Sequence, residues 1–507
     1  MTIADQLTTL ANTKAAIKTA IEAKGVTVGA AAFDQYSSKI AAITSGGTVS
    51  NDWVRPADWL ALPSVSTSDQ KIVGLFPVFN NASNGVSMTI AGAYTVDWGD
   101  GTVENFATGA TASHTYSYAS ISDTTVSTRG YKQAIIIVTP QAGQNLTSVN
   151  LGVTPASNSY NIYKTINYLE LVMSIPKTSS SATLVLGGSI TRWWPYCERI
   201  DIKSYNDTNN TNFGVSFQNF YALQEITTGL KVYTGGLQMF QNCRALRKVS
   251  GFDFSSLAGS MVNMFDGCSS LVSVSDTFAG AGITGSLAYM FQYCDSLQEI
   301  PSSLAGAKAS SIANFARGAR SIKGFPAIDF TSATDASYAF SGCNNLVTAT
   351  VALSSACLNT SYMFKDCINL REANITGTTA VTNFSYMFQS AFNLEKINAI
   401  PCNAATNVSY MFDSCYALVE IPALTWTSGT LNISGVFNAC YNLAKIGVTG
   451  IANTFTLVGR LSATELNALY TNLGTVTGKT ITVTNIYGVA GDDPTIATTK
   501  GWTVTGS

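Results

Sequence analysis

Few residues of this chain combine the types and spacings that chemistry needs. His114 is its only histidine, which removes multi-histidine metal sites and most imidazole-based catalysis. Asp97-Trp98-Gly99-Asp100-Gly101-Thr102 lies upstream and His114-Thr115-Tyr116 follows, so Asp97, Asp100 and His114 could hold a cation. A hairpin turn at Asp100-Gly101, which requires positive φ, explains the same residues with a histidine satisfied by its neighbours, and that reading is preferred. A nucleophilic mechanism at His114 would also need a nucleophile and an orienting acid that the sequence does not advertise. Phosphate-loop, HExxH and CxxC spacings are absent, and glycoside hydrolysis would need two positioned carboxylates. The expectation is a protein without catalytic residues, metal or cofactor, and therefore not an enzyme.

Ten cysteines are the other reactive groups, and their spacing reveals an internal repeat. Phe, then Cys, then Leu recur three residues apart at Phe240-Cys243-Leu246, Phe265-Cys268-Leu271, Phe291-Cys294-Leu297, Phe340-Cys343-Leu346, Phe364-Cys367-Leu370, Phe412-Cys415-Leu418 and Phe437-Cys440-Leu443. Phe388-Ala391-Leu394 lacks the cysteine, and Phe315-Gly318-Ile322 is looser. Phe217-Phe220-Leu223 and Trp194-Cys197-Ile200 open the series. Successive key aromatics are 23 to 26 residues apart. One such unit cannot bury its own apolar face, so the units must stack with Phe, Cys and Leu inward. A solenoid of about eleven coils over 160–450 follows, about 50 Å long at strand spacing. Eight cysteines at one repeat position read as buried free thiols, with Cys357 and Cys402 outside the ladder. Free thiols suit a reducing compartment.

Two residues before the key Phe, five coils carry Tyr289, Tyr338, Tyr362, Tyr386 and Tyr410. They form either an internal tyrosine ladder or an exposed stripe able to stack on sugar rings, with Ser361, Ser385 and Ser409 adding hydroxyls. These five tyrosines are the glycan-binding candidates. A weaker candidate is the cationic group Lys308, Arg317, Arg320 and Lys323, which could meet anionic glycan.

Around the array stand three other regions, in keeping with about three domains for 507 residues. Ile3, Leu7, Leu10, Lys14, Ile17 and Ile21 alternate in steps of four and three, a heptad seam that predicts a self-associating helix. Gly25 and Gly29 break it, and Phe33, Tyr36, Ile40 and Ile43 return at helical spacing. Residues 1–47 therefore read as a helical hairpin that anchors or oligomerises the chain through Ile3, Leu7, Leu10, Ile17 and Ile21. Short alternating runs between 52 and 158 predict an all-β sandwich. Over 451–507, Ser462-Ala463-Thr464-Glu465 opens a helix carrying Leu461, Leu466, Leu469 and Leu473, and two strands follow, as a cap for the last coil.

Charged residues make up 11% of the chain, 28 basic against 30 acidic, where about 25% is usual. Without a basic block, nucleic-acid binding and electrostatic membrane attachment are not expected. No apolar run approaches membrane-spanning length, and the N-terminus lacks the apolar core of a secretory signal.

The Met-Phe-x-x-Cys-x-x-Leu unit closely resembles the BspA-type leucine-rich repeat. The Asp97–Thr102 and His114–Tyr116 pair resembles PKD-like domains, which are immunoglobulin-like sandwiches. The N-terminal module from Asn12 through Ile40 and the C-terminal tail resemble segments of tailed-bacteriophage structural proteins. These resemblances imply a mainly β protein: N-terminal helical hairpin, PKD-like sandwich, leucine-rich-repeat solenoid and C-terminal α/β cap. They imply a virion appendage, a tail fibre or adhesion protein assembled in the host cytoplasm. It would dock on other virion proteins through the hairpin, with a trimer favoured, and bind host polysaccharide or protein. Alternatives are a structural decoration protein of the virion and a bacterial surface adhesin.

Overall fold

The computed structural model describes Lys14, Ala15, Ile17, Lys18 and residues 53–506, except 81–83, 154, 156–158, 161–162, 177–183, 187–191, 206–215, 230–231, 233–235, 258, 276, 279–281, 327 and 427–430. The expected hairpin, with Ile3, Leu7, Leu10 and Ile21, lies outside the described residues. Ile17 is helical and half-buried.

Residues 55–507 form one compact unit, and its first part is built from antiparallel strands. β1 (Lys71–Val78), β2 (Gly85–Ala91), β3 (Tyr94–Asp97), β4 (Val103–Phe106), β5 (Thr111–Thr115), β6 (Lys132–Pro140) and β7 (Ser148–Asn150) divide into two sheets. One has the order β1-β6-β3-β4 and the other contains β7-β2-β5. Their alternating apolar residues, among them Phe76, Val86, Met88, Trp98 and Ile136, share one core. Strand β1 is apolar on both faces because it is covered on both: Val73 packs outward with Val65 and Val172. Its free edge then takes Glu170–Ile175 in antiparallel register, Gly74 facing Leu171.

That pairing continues the sheet into the solenoid. Parallel strands Arg199–Tyr205, Glu225–Thr228, Lys248–Ser250 and Ser273–Val274 follow, giving nine strands in one sheet. The apolar cluster likewise runs from Phe76 to Trp502 without a break. Sandwich and solenoid therefore do not have the separate cores that their different sequence patterns suggest. The solenoid has about 12 turns rather than about eleven, since parallel stacking already begins at Glu170–Ile175.

Each coil turns at its Phe-x-x-Cys-x-x-Leu unit, and the backbone explains the spacing of three. In the Phe340 coil, Cys343 N–H donates to the Phe340 carbonyl and Leu346 N–H to that of Cys343. Tyr338, Phe340 and Gly342 instead donate to Ser361, Met363 and Lys365 of the next coil. Phe rings follow this alignment: Phe217, Phe240, Phe265 and Phe291 stack at 5.2, 5.2 and 5.5 Å.

The same ladder corrects two registers. Ala316 N–H donates to Ala339, as Phe340 does to Met363, so the loose unit is Ala316-Ala319-Ile322, and Phe315 occupies the place of methionine. Its ring meets Phe291 edge-on at 81° and breaks the parallel stack. At the start, Ile200 faces Ile226 and Trp194 stacks on Phe220 at 4.6 Å. Cys197 thus holds the leucine position, and seven cysteines, not eight, form the ladder. At the far end, Ser462 Oγ accepts from Glu465 N–H at 3.2 Å to start the helix Ala463–Asn472. That helix buries Leu466, Leu469 and Tyr470, and the parallel strands Phe455–Thr456, Lys479–Thr482 and Trp502–Thr505 close the array.

Candidate binding surface of the solenoid

From Gln238 to Gly435, the residue two before each key position is left-handed. Tyr289, Tyr338, Tyr362, Tyr386 and Tyr410 have φ of 61°, 56°, 61°, 59° and 55°, a conformation that costs an L-residue about 1–2 kcal/mol. Stacking offsets the strain. Tyr338–Tyr362, Tyr362–Tyr386 and Tyr386–Tyr410 lie parallel at 4.3, 4.6 and 5.0 Å. Arg317 sits over Tyr338 at 4.7 Å, and Tyr410 rests against Gly435, where a side chain would collide. Tyr289 is not part of this stack, because Asn314 intervenes in the same column.

The column is neither internal nor an open platform. Tyr338, Tyr362, Tyr386 and Tyr410 are half-buried, and their faces cover one another, so edges and hydroxyls meet solvent. Burial and the neighbouring rings push the Tyr362 phenol above its ordinary pKa. Ser361, Ser385 and Ser409 are buried and add no hydroxyls to the surface. Their N–H groups donate to Asn359, Asn383 and Asn407 Oδ1 at 3.1, 3.1 and 3.0 Å, closing one Asx turn per coil.

A second aromatic column escaped the sequence reading. Phe392, Tyr416 and Tyr441, each four residues after its key Phe, stack at 5.0 and 5.8 Å. They are 37%, 41% and 60% exposed. The signal was the recurrence of an aromatic at that offset in three successive coils.

The cationic group does not assemble into one patch. Arg317 is held by Tyr338 and by Asn314 Oδ1 at 3.2 Å, and Arg320 lies 3.6 Å from Asp295. Lys308 faces Asp329, and Lys323 lines a cleft with Glu299, Phe325 and Pro326. Opposite charges also alternate along the strands. Arg199 bonds Glu170 at 3.1 Å and Asp201 at 2.8 Å, Arg55 bonds Glu170 at 2.7 Å, and Lys396–Glu372 and Lys445–Glu420 each measure 2.9 Å.

All ten cysteines are buried and free. Each ladder thiol donates to the key-position carbonyl of an adjacent coil or its immediate equivalent, as in Cys268 to Phe240 at 3.0 Å and Cys343 to Ala316 at 3.2 Å. Cys367 Sγ lies 3.1 Å from the Phe340 carbonyl. Burial pushes the Cys367 and Cys440 thiols up to about 12. In the sandwich, His114 Nε2 lies 2.8 Å from Asp100 Oδ2, and its ring stacks on Trp98 at 4.9 Å. Tyr116 OH donates to the Trp98 carbonyl at 2.7 Å, and Asp97 Oδ1 accepts from Gly99 N–H at 2.9 Å. Asp97, Asp100 and His114 hold the hairpin rather than converging on a common point. No group of three or more metal-ligating side chains occurs among the described residues.

Residues 334–446 match a family described as Mycoplasma protein of unknown function, DUF285. Residues 214–316 match the BspA type leucine rich repeat region, in six copies. No curated protein and no solved structure matches the chain. The coil register, the inward Phe-Cys-Leu ladders and this match agree: the solenoid carries BspA-type leucine-rich repeats.

Proposed function

We propose that this protein is a surface adhesin-type binding protein whose solenoid, not a catalytic centre, does the work. The observation that carries the reading is the column Phe392, Tyr416 and Tyr441, where the repeat holds aromatic rings exposed and in line. Exposed aromatics on a rigid scaffold favour binding, because little side-chain entropy is lost on contact. BspA-type repeats in residues 214–316 support the same role.

In its more specific form, the chain is a tailed-phage appendage. Residues 1–47 dock on other virion proteins and favour a trimer, a PKD-like sandwich forms the base, and the solenoid meets host polysaccharide or protein. The N-terminal and C-terminal resemblances support this form. Labelled full-length protein should bind intact bacterial cells saturably, and antibody against it should decorate phage particles. Failure to bind any cell or envelope preparation would reject the adhesin reading; absence from purified particles would reject only the phage form.

A further inference from the structure

Two residues after each key position runs another left-handed column: Asn242, Gly267, Tyr293, Gly318 and Gly342 occupy it in successive coils. Tyr293 is its one aromatic in this stretch. The ring rests over Gly318, where a Cβ would come 2.7 Å from Cδ1, and the residue is still 46% exposed. On its other side stands Gly267, whose Cβ position Asn242 Oδ1 approaches to 2.8 Å, so the asparagine leans over that coil as Tyr293 leans over Gly318. In the tyrosine column, rings on adjacent coils stack only 4.3 Å apart at the closest. The slot beside Tyr293 is therefore bounded by its ring on one side and by Asn242 Oδ1 on the other.

The slot belongs to an open cavity of about 460 Å³ lined by Asn242, Arg244, Asp266, Gln292, Tyr293 and Asp295, within the usual size of small-ligand sites. Its carboxylate is oriented in advance. Gln218 Nε2 donates to Gln241 Oε1 at 2.6 Å, and Gln241 Nε2 donates to Asp266 Oδ2 at 2.9 Å. Desolvation raises the pKa of Asp266, and Gln292 is buried beside it. Asp266 and Asp295 are balanced by Arg244 and by Arg320, which lies 3.6 Å from Asp295, so the site has no excess positive charge to select an anion. A ligand with one apolar ring face and many hydroxyl donors satisfies the tyrosine, the carboxylates and the amides together.

We propose that the Gly267 slot is a saccharide subsite that takes a neutral hexopyranose unit of a glycan, stacked on Tyr293 and hydrogen-bonded to Asp266, Gln292 and Asn242. This deepens the adhesin reading and rests on it for the biological source of the glycan. The test uses full-length protein on an array of neutral hexose oligosaccharides and their sialylated, uronate and phosphorylated counterparts. Tyr293→Asn removes the ring while keeping a residue type that the same column carries at Asn219 and Asn242. Asp266→Asn keeps an oxygen for Gln241. Wild-type protein should retain neutral hexose glycans, and each variant should weaken retention about tenfold with melting unchanged. Tyr487→Asn, at an exposed tyrosine of the C-terminal cap, should leave retention unchanged. Preference for the anionic glycans, no retention of neutral ones, or retention indifferent to both slot variants would overturn the proposal. Should Tyr293→Asn melt early, Asp266→Asn decides. Cell binding separates the two levels: if it is saturable but indifferent to both slot variants, the subsite fails and the adhesin reading stands. If array binding depends on Tyr293 but no cell is bound, the adhesin reading fails and the subsite stands.

Discussion

Replacing Tyr362 separates the two forces that act at its position. The ring stacks on Tyr338 at 4.3 Å and on Tyr386 at 4.6 Å, and each such pair contributes about 0.5–1.5 kcal/mol beyond area burial. Truncation to Ala should therefore cost about 1–3 kcal/mol from stacking alone. The backbone, however, is left-handed at φ 61°, where a Cβ is penalised and glycine is not. At most positions Gly is worse than Ala by about 0.4–1 kcal/mol through the entropy of the unfolded chain. Here the left-handed penalty of about 1–2 kcal/mol outweighs that entropy, so Tyr362→Gly should be more stable than Tyr362→Ala by about 0.5–1 kcal/mol. Urea unfolding followed by near-ultraviolet circular dichroism reads both variants against wild type. An Ala variant more stable than the Gly variant would refute the backbone account, and two variants as stable as wild type would refute the stacking account.

Other expectations rest on separate features. Ladder thiols should resist labelling in the native state; Cys367 and Cys440 are protonated up to about pH 12 when folded but only to about 8.5 when unfolded. Their contribution is thus complete below about pH 8.5 and is lost as pH rises toward 12; stability measured from pH 7 to 11 in reductant should fall, and less steeply in Cys→Ala variants. Gly435→Ala places a Cβ against the Tyr410 ring at φ 64° and should destabilise by more than about 1 kcal/mol, checked by thermal unfolding. Glu170→Ala removes the buried carboxylate that Arg55 and Arg199 share, while Arg199 keeps Asp201 at 2.8 Å, and about 1–3 kcal/mol of stability should be lost in urea unfolding.

Periodicity made the solenoid legible, because each coil must place Phe, Cys and Leu on one inward face. The same logic misread two coils. Ala316 and Ala319 carry no aromatic or thiol to mark the register, and the eye moves to Phe315; Cys197 attracts alignment to the wrong column because leucine and cysteine fill similar buried volume. The sheet joining β1 to Glu170–Ile175 was invisible, since pairing between segments about 100 residues apart leaves no local pattern. The tyrosine geometry was hidden because tyrosine rarely adopts positive φ. Asn263 and Asn314 in that column, with Gly435, did hold the signal. The open aromatic column was missed because only three successive coils carry it.

The most direct test of the central claim is binding of full-length protein to intact cells, compared with a variant carrying Phe392→Ser, Tyr416→Ser and Tyr441→Ser. These residues are partly exposed and stack only on one another, so the variant should melt somewhat earlier than wild type but be fully folded at the assay temperature. Saturable wild-type binding that falls by tenfold or more in the variant, about 1.4 kcal/mol or greater, is the predicted result; saturable binding that is identical in the two proteins, with both fully folded, would contradict it.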